Sequence, residues 1–228
     1  MSTTYDEDYY RCNGQLGDRP ALAYYVRLVR RYVGAGPYLD FGCGTGHLLR
    51  RLSQIGDASG FEISEFSAER ARQNATGCSV ATSTGDLPSN TFGGITSIHV
   101  LEHLDDEVAT AVLQTWRRVL GPGGRVLAVM PDPGGKARRM LGEQWGGFDD
   151  PTHINLKPHR VWREFLTARG FEVVRQGTDG LWNPPYRGLP RLMDAAVHSV
   201  PAFGQYLSGR LLLRPGHGES SIFVLEKN

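Results

Sequence analysis

The residues best suited to chemistry fall into three groups. In Asp40-Phe41-Gly42-Cys43-Gly44-Thr45-Gly46 an acid precedes three alternating glycines, and an apolar helical pattern follows at once. Glycine takes positive φ cheaply and lets a ligand approach where a Cβ would clash. The helix that follows offers unpaired N–H groups and a positive dipole end. A second acid, Glu62, ends the run Ala58-Ser59-Gly60-Phe61. The third group is histidine: His99, His103 next to Glu102, and His153 within Asp149-Asp150-Pro151-Thr152-His153-Ile154-Asn155. An ordinary imidazole pKa near 6.5 suits a general base at neutral pH. Plainer roles compete: His103 as a brace between helix and loop, and His153 as part of a hydrogen-bonded loop tie.

Elements must hold these groups in place. Tyr38 to Phe41 reads as a strand, the glycines as a turn, and the following residues as a helix to about Ile55, ended by Gly56. Pro20 opens an earlier helix with Leu22, Val26, Val29 and Val33 on one face, stopped by Gly34-Ala35-Gly36-Pro37. Ala58 to Glu62 is a second strand, and Ser64 caps a helix through Ala75. Ser79–Ser83 and Gly94–Val100 read as further strands. A helix capped by Asp105 or Asp106 carries Val108, Val112, Trp116 and Val119, and His103 is placed on it. Gly121-Pro122-Gly123-Gly124 reads as a turn before a strand from Arg125 to Met130. A helix around Val161, Phe165 and Leu166 leads to strands at Phe171–Arg175 and Ser221–Leu225. This alternation predicts an α/β fold: a doubly wound, mostly parallel seven-stranded sheet, Rossmann-like, with ligands at the carboxyl ends of the strands.

At 228 residues the chain is expected to be a single domain. Residues 1–36 form an N-terminal arm and helix, 37–177 and 219–228 the core, and 183–218 a cap insertion before the last strand. The net charge of +1 gives no field for nucleic acid or an anionic membrane. Cys12, Cys43 and Cys78 are scattered and read as free thiols in a reducing compartment. The acidic start and the lack of a span-length apolar run add to a cytoplasmic expectation.

The glycine turn discriminates among ligands. A phosphate loop would end in Gly-Lys-Ser/Thr, which is absent. A dinucleotide turn needs a third glycine where this chain has His47, a bulk that blocks close approach of a pyrophosphate. Asp40 would repel phosphate but can receive an ammonium group. A nucleoside carrying a carboxylate, an ammonium and a sulfonium fits better.

The turn resembles motif I of the class I S-adenosylmethionine-dependent methyltransferases, and the resemblance extends over most of the chain. It implies that Asp40, Gly42, Gly44 and Gly46 line the cofactor, S-adenosyl-L-methionine, with S-adenosyl-L-homocysteine as product. It also implies that Glu62 binds both ribose hydroxyls and that Ile63 packs on the adenine. Ser83, Thr84 and Gly85 occupy the loop at the adenine edge, beside Asp86 and the pair Leu87-Pro88. His99-Val100-Leu101-Glu102-His103-Leu104 is similar to the family's "LEH" segment, so His99 and Val100 fall beside the methionine end. The Gly-Pro-Gly-Gly turn also matches.

Methyl transfer from an activated sulfonium needs an aligned, unprotonated acceptor more than a dedicated catalytic motif. His153 and His103 are the candidate bases, and no metal is assigned. An alternative comes from relatives with Glu-x-x-Glu-His after strand four that bind a divalent ion on RNA or quinone-precursor substrates. Here His99-x-x-Glu102-His103 differs at the first ligand, and His153 would complete the set.

Aromatics outside the sheet, Tyr9, Tyr10, Trp145, Phe148, Trp182 and Tyr186, are candidates to line an acceptor site, with core packing as the plainer role for each. The insertion carries Arg187, Arg191, Arg210 and Arg214 against only Asp194. It reads as an acceptor lid ahead of a dimer contact or a membrane-surface helix. The expected partner is a small or medium-sized organic acceptor in specialised metabolism, of the size of a nonribosomal peptide and methylated at O, N or S. No nucleic acid and no integral membrane segment are expected, and the protein would be a monomer or homodimer. A non-catalytic cofactor-binding protein of the same fold is the remaining alternative.

Overall fold

A computed structural model describes residues 9, 11, 17–182, 186 and 190–228. Seven strands form one sheet in the order β3-β2-β1-β4-β5-β7-β6. They are β1 (Tyr38–Phe41), β2 (Ala58–Phe61), β3 (Val80–Ala81), β4 (Phe92–Ile98), β5 (Leu120–Pro131), β6 (Phe171–Thr178) and β7 (Ser220–Lys227). The reversal of direction away from β1, toward β2 on one side and β4 on the other, is the switch point at which doubly wound sheets bind ligands. The chain divides into two compact units: the first runs up to Ile98 and includes Ala111–Leu127 and Lys227; the second holds His99–Thr110, Ala128–Glu226 and Asn228.

In the first unit β1 is flanked by parallel β2 and β4. The register sets Asp40 opposite Gly60 on one side and Thr96 on the other. All four β1 residues are buried, as expected for a strand covered on both faces. Helix α1 (Pro20–Leu28) starts on its proline, buries Leu22, Tyr25 and Leu28, and widens over Val29–Val33 before Gly34 ends it. The helix after the glycine turn, α2 (His47–Leu52), is shorter than the sequence pattern predicts. Ile55 instead closes a turn on the Leu52 carbonyl. Helix α3 (Glu65–Asn74) is capped as expected, with Ser64 Oγ accepting from Ser67 N–H at 3.3 Å. Helix α4 (Asp106–Val119), assigned to the second unit up to Thr110 and to the first from Ala111, is capped by Asp105, which accepts from Val108 N–H at 2.8 Å. Trp116 of α4 meets Phe41 edge-on, ring centres 5.9 Å apart.

Two readings need correction. Gly121-Pro122-Gly123-Gly124 is not a turn ahead of β5 but part of the strand itself, which starts at Leu120. His103 does not ride on α4; it closes a separate single turn, Leu101–His103. The stretch from Pro131 to Lys157 holds helix α5 (Lys136–Leu141) and two further single turns, Gly142–Gln144 and Gly146–Phe148. Elements this short carry too few residues to show a helical period.

In the second unit α6 (His159–Thr167) buries Trp162, Phe165 and Leu166. Gly170 leads into β6 with φ of 83°. The described part of the insertion is largely helix, α7 (Arg191–Ser208). Asp179 is buried beyond β6 and accepts N–H bonds from Glu219 (3.2 Å) and Ser220 (2.9 Å). Burial and the nearby Glu219 carboxylate push its pKa up to about 6.

Candidate functional site

In the first unit the glycine turn is built by backbone bonds to β2. The Gly42 and Cys43 N–H groups both donate to the Phe61 carbonyl, at 2.8 and 3.0 Å, and Gly46 N–H donates to Cys43 O at 2.9 Å. Gly42, Gly44 and Gly46 have φ of 76°, 51° and 84°, the region where a side chain is strained. At Gly46 a Cβ would also come within 2.6 Å of the Ala71 backbone. Gly46 therefore lets α2 and α3 close. Gly60 is a glycine the sequence reading overlooked: a Cβ there would reach Cys43 Sγ at 2.8 Å and Leu49 Cδ2 at 2.9 Å. Its absence of side chain seats the turn on β2.

Glu62 is buried just past β2. Its carboxylate accepts the Gly44 N–H and the Ser64 N–H, each at 2.9 Å. Burial raises its pKa, and the N–H bonds from Ser64, Gly44 and Ile63 oppose the rise. Each carboxylate oxygen has a second lone pair, so the group can accept from a ribose diol while it holds the turn. Asp40 is buried too; one carboxylate oxygen accepts from Thr96 Oγ1 at 2.7 Å and the other has no partner. Desolvation, opposed by the Thr96 bond and reinforced by Glu62, pushes the Asp40 pKa up to about 7. A buried acceptor without a donor is what a cationic ligand group would satisfy. Ile63 stands 71% exposed, an apolar surface for a flat base to cover.

Thr84 and Gly85 lie in a single turn after β3 that Ser83 Oγ caps through Gly85 N–H at 3.2 Å. What the sequence did not announce is Arg118 of α4, which donates to the Thr84 and Leu87 carbonyls at 2.6 Å each and fixes this loop. It looked like any arginine on a helix's last turn. These residues together can hold S-adenosyl-L-methionine: buried acids for its ammonium and diol, no phosphate-binding lysine, and an apolar face for the adenine.

In the second unit His99 follows β4 with φ of 57°. Its N–H binds Val129 O at 2.9 Å. Its ring is engaged as well, with Nδ1 3.0 Å from Glu102 Oε1. Val100 precedes the Leu101–His103 turn. Glu102 is fully buried, and its Oε2 has no hydrogen-bond partner.

His103 and His153 come together, ring centres 4.7 Å apart. The hydrogen bonds fix their tautomers. Thr152 Oγ1 gives its one hydrogen to Asp150 Oδ1 at 2.6 Å, so toward His103 Nδ1, 2.7 Å away, it accepts. His153 Nδ1 lies 2.7 Å from the Gly147 carbonyl, which also only accepts. Both neutral rings carry their proton on Nδ1 and their lone pair on Nε2. Burial lowers the His103 pKa, with Glu102 opposing and His153 reinforcing. Ligand atoms of Glu102, His103 and His153 lie within 4.8 Å of one another, so these three could hold a metal ion. His99, named in the metal alternative, is not in that group.

The acceptor candidates divide. Trp145 and Tyr186 are buried in a cluster with Ala137 and Leu181, so they pack the unit. Phe148 keeps an exposed edge beside the Arg138 guanidinium, 5.0 Å from the ring centre. Trp182 is partly exposed and donates Nε1–H to Asp179 O at 3.0 Å. Tyr9 is half-buried, and Tyr10 lies outside the described residues.

Strand order, glycine turn and the acid after β2 define a Rossmann-like methyltransferase domain. Comparison with known proteins agrees. The methyltransferase-domain family model matches residues 18–176, and the chain belongs to that family, whose cofactor is S-adenosyl-L-methionine. It is 31% identical over 158 residues to a malonyl-[acyl-carrier protein] O-methyltransferase of Alcanivorax borkumensis, covering 63% of this chain and 52% of the relative. Over 111 residues it is 33% identical to a ubiquinone/menaquinone biosynthesis C-methyltransferase of Desulfotalea psychrophila, covering 45% and 44%. The chain thus spans about half the length of these relatives. The crystal structure of an S-adenosylmethionine-dependent methyltransferase from Archaeoglobus fulgidus shares the fold, with a TM-score of 0.63 at 18% identity over 96% of this chain and 99% of that one.

Proposed function

We propose that this protein transfers a methyl group from S-adenosyl-L-methionine to a small or medium-sized organic acceptor, with His103 and His153 as the proton-accepting pair. When bound, the cofactor supplies an electrophilic methyl group on a sulfonium. In the first unit Asp40, the Gly42–Gly46 turn, Glu62, Ile63 and the Ser83–Gly85 loop would hold it. The acceptor oxygen or nitrogen must shed its proton as its bond to the methyl carbon forms and the sulfur–carbon bond breaks. An imidazole Nε2 takes that proton.

The observation that carries the catalytic part is the pair of Nδ1 bonds, to Thr152 and to Gly147, which leaves both lone pairs on Nε2. Burial of His103 keeps that base unprotonated at neutral pH. Phe148 and Trp182, with ring surface exposed, are the aromatic residues best suited to meet an acceptor. The two relatives are named for O-methylation of malonyl-[acyl-carrier protein] and for C-methylation in ubiquinone/menaquinone biosynthesis, which supports an organic acceptor group; specialised metabolism is our narrower reading. The free thiols Cys43 and Cys78 support a reducing, cytoplasmic setting. Incubation with methyl-labelled cofactor and a panel of hydroxyl, amine and thiol metabolites tests this. Transfer to one class, lost in both His103→Ala and His153→Ala at saturating cofactor, is the expected result. Unchanged rates in both variants would leave alignment as the whole mechanism.

A second reading, metal-assisted transfer, is favoured by Glu102 Oε2, buried without a partner beside two imidazoles. Glu102, His103 and His153 would then supply a carboxylate and two neutral nitrogens, a donor set that suits divalent transition ions. Stoichiometric metal in the purified protein, with activity lost to a chelator and restored by one ion, would select this reading over the first.

A further inference from the structure

Asp179, in the second unit, carries a charge that no described lysine or arginine neutralises. It follows β6 directly and is 9% exposed. Its position is fixed from several sides. Gly180, with φ of 98°, and Gly218 let the chain beyond β6 and the chain ahead of β7 close on each other; a Cβ on Gly218 would come within 2.6 Å of Gly180 N. Gln205, buried on α7, donates Nε2–H to the Thr178 and Asp179 carbonyls at 2.7 and 3.3 Å. Three donors converge on Asp179 Oδ1: Thr178 Oγ1 at 3.1 Å and the Glu219 and Ser220 N–H groups. Oδ2 has no hydrogen-bond partner among the described residues.

A single oxygen that accepts three donors could as well belong to an asparagine. What an asparagine would not supply is the charge and the second oxygen. Glu219 adds a further negative charge nearby, its own Oε1 accepting from Trp182 N–H at 3.0 Å and from Tyr186 OH. The cation-forming side chain that acts on Asp179 is His99, whose Nδ1 is already committed to Glu102 Oε1 at 3.0 Å. Burial and Glu219 raise the Asp179 pKa only to about 6, so the group is mostly ionised at neutral pH. A buried anionic oxygen without a donor is answered by a cation that brings one. Trp182 supplies apolar surface next to it: the residue is 36% exposed, and its Nε1–H is tied to Asp179 O at 3.0 Å. An exposed indole face attracts cations as well as carbon. A metal ion fits less well, because Asp179 belongs to no group of three metal-ligand atoms among the described residues.

We propose that Asp179 and Trp182 form a subsite for a protonated amine carried by an acceptor with an apolar body. The ammonium donates to Asp179 Oδ2, and adjoining carbon covers the indole. The ammonium is a recognition group, distinct from the neutral atom that receives the methyl. This narrows the proposed acceptor and rests on the proposed methyl transfer only in calling the occupant an acceptor; binding at the subsite is measurable without any transfer.

The test uses the full chain and two probes of one shape, 2-phenylethylamine, which is protonated at pH 7, and the neutral 2-phenylethanol. Binding is read from the indole Nε1–H nuclear magnetic resonance signal of Trp182, assigned with Trp182→Phe, with and without S-adenosyl-L-homocysteine. The amine should bind about tenfold or more tightly than the alcohol, the worth of one hydrogen bond to a charged group. Asp179→Asn keeps an oxygen for the three donors and removes a charge whose pKa folding raises, so it should melt no lower than the wild type at pH 8. It should lose the preference for the amine. Equal affinity for amine and alcohol in the wild type overturns the proposal whether or not the variant folds, and so does a preference that survives Asp179→Asn. Amine preference lost in Asp179→Asn, in a protein that methylates no acceptor, would uphold the subsite and overturn the proposed function instead.

Discussion

His103 Nδ1 and Thr152 Oγ1 lie 2.7 Å apart, and the threonine hydrogen is already committed to Asp150. The imidazole therefore donates in that pair, and its basic nitrogen is Nε2. This linkage joins residues 49 positions apart in sequence.

Thr152→Val should free that tautomer. In histidine-labelled protein, nitrogen chemical shifts should place the wild-type His103 proton on Nδ1 and show a shift toward Nε2–H in the variant, while Thr152→Ser retains the wild-type pattern. Turnover in the valine variant should fall about tenfold, less than the ~10²–10⁴-fold of losing a positioned acid–base group outright. An unchanged tautomer would remove Thr152 from any positioning role.

The pH dependence of the ligand-free protein should show Asp40. Its folded pKa is raised to about 7 from the ordinary aspartate value of 3.8, mainly by burial. Its contribution to stability is therefore fully present below pH 4 and is lost as pH rises through 7. The slope for one such group is up to about 1.4 kcal/mol per pH unit inside that window. Asp40→Asn should raise the melting temperature at pH 8 relative to wild type and give little gain at pH 4, while weakening cofactor binding. Melting curves at the two pH values check the sign.

Gly46→Ala should be among the costlier single changes in the first unit. Its φ of 84° and the 2.6 Å approach to Ala71 combine left-handed strain with a backbone clash. We expect a loss of about 2 to 4 kcal/mol in urea unfolding. Gly77→Ala, with similar φ but nothing within 4 Å, should cost only the strain.

Arg118→Met should leave the fold intact yet loosen the Thr84–Leu87 loop, because both carbonyls lose their guanidinium. Affinity for S-adenosyl-L-homocysteine should fall about tenfold, with little change in melting temperature of the ligand-free protein. Calorimetry and a thermal melt on the same preparation separate the two effects.

Much of this was legible in the sequence. The glycine turn, Glu62 and Ser64 are local signals, each within a few residues of the strand or helix that gives it meaning. What was not legible depended on long-range packing. Gly60 reads as one more strand residue until Cys43 and Leu49 are seen against it. Arg118 reads as a solvated cation until its carbonyl partners across 31 and 34 positions are known. The helical content of 183–218 was obscured because its buried side is polar, so the usual assignment of apolar residues to the interior pointed the helix the wrong way.

The central claim is that the first unit holds a sulfonium nucleoside through Glu62 and the glycine turn. Titration calorimetry with S-adenosyl-L-homocysteine tests it most directly. The wild type should bind with a Kd of about micromolar, and Glu62→Gln and Glu62→Ala about a hundredfold more weakly, the loss of charge-assisted bonds to a diol. Binding of NAD in preference to S-adenosyl-L-homocysteine, or wild-type affinity in both Glu62 variants, would contradict the account.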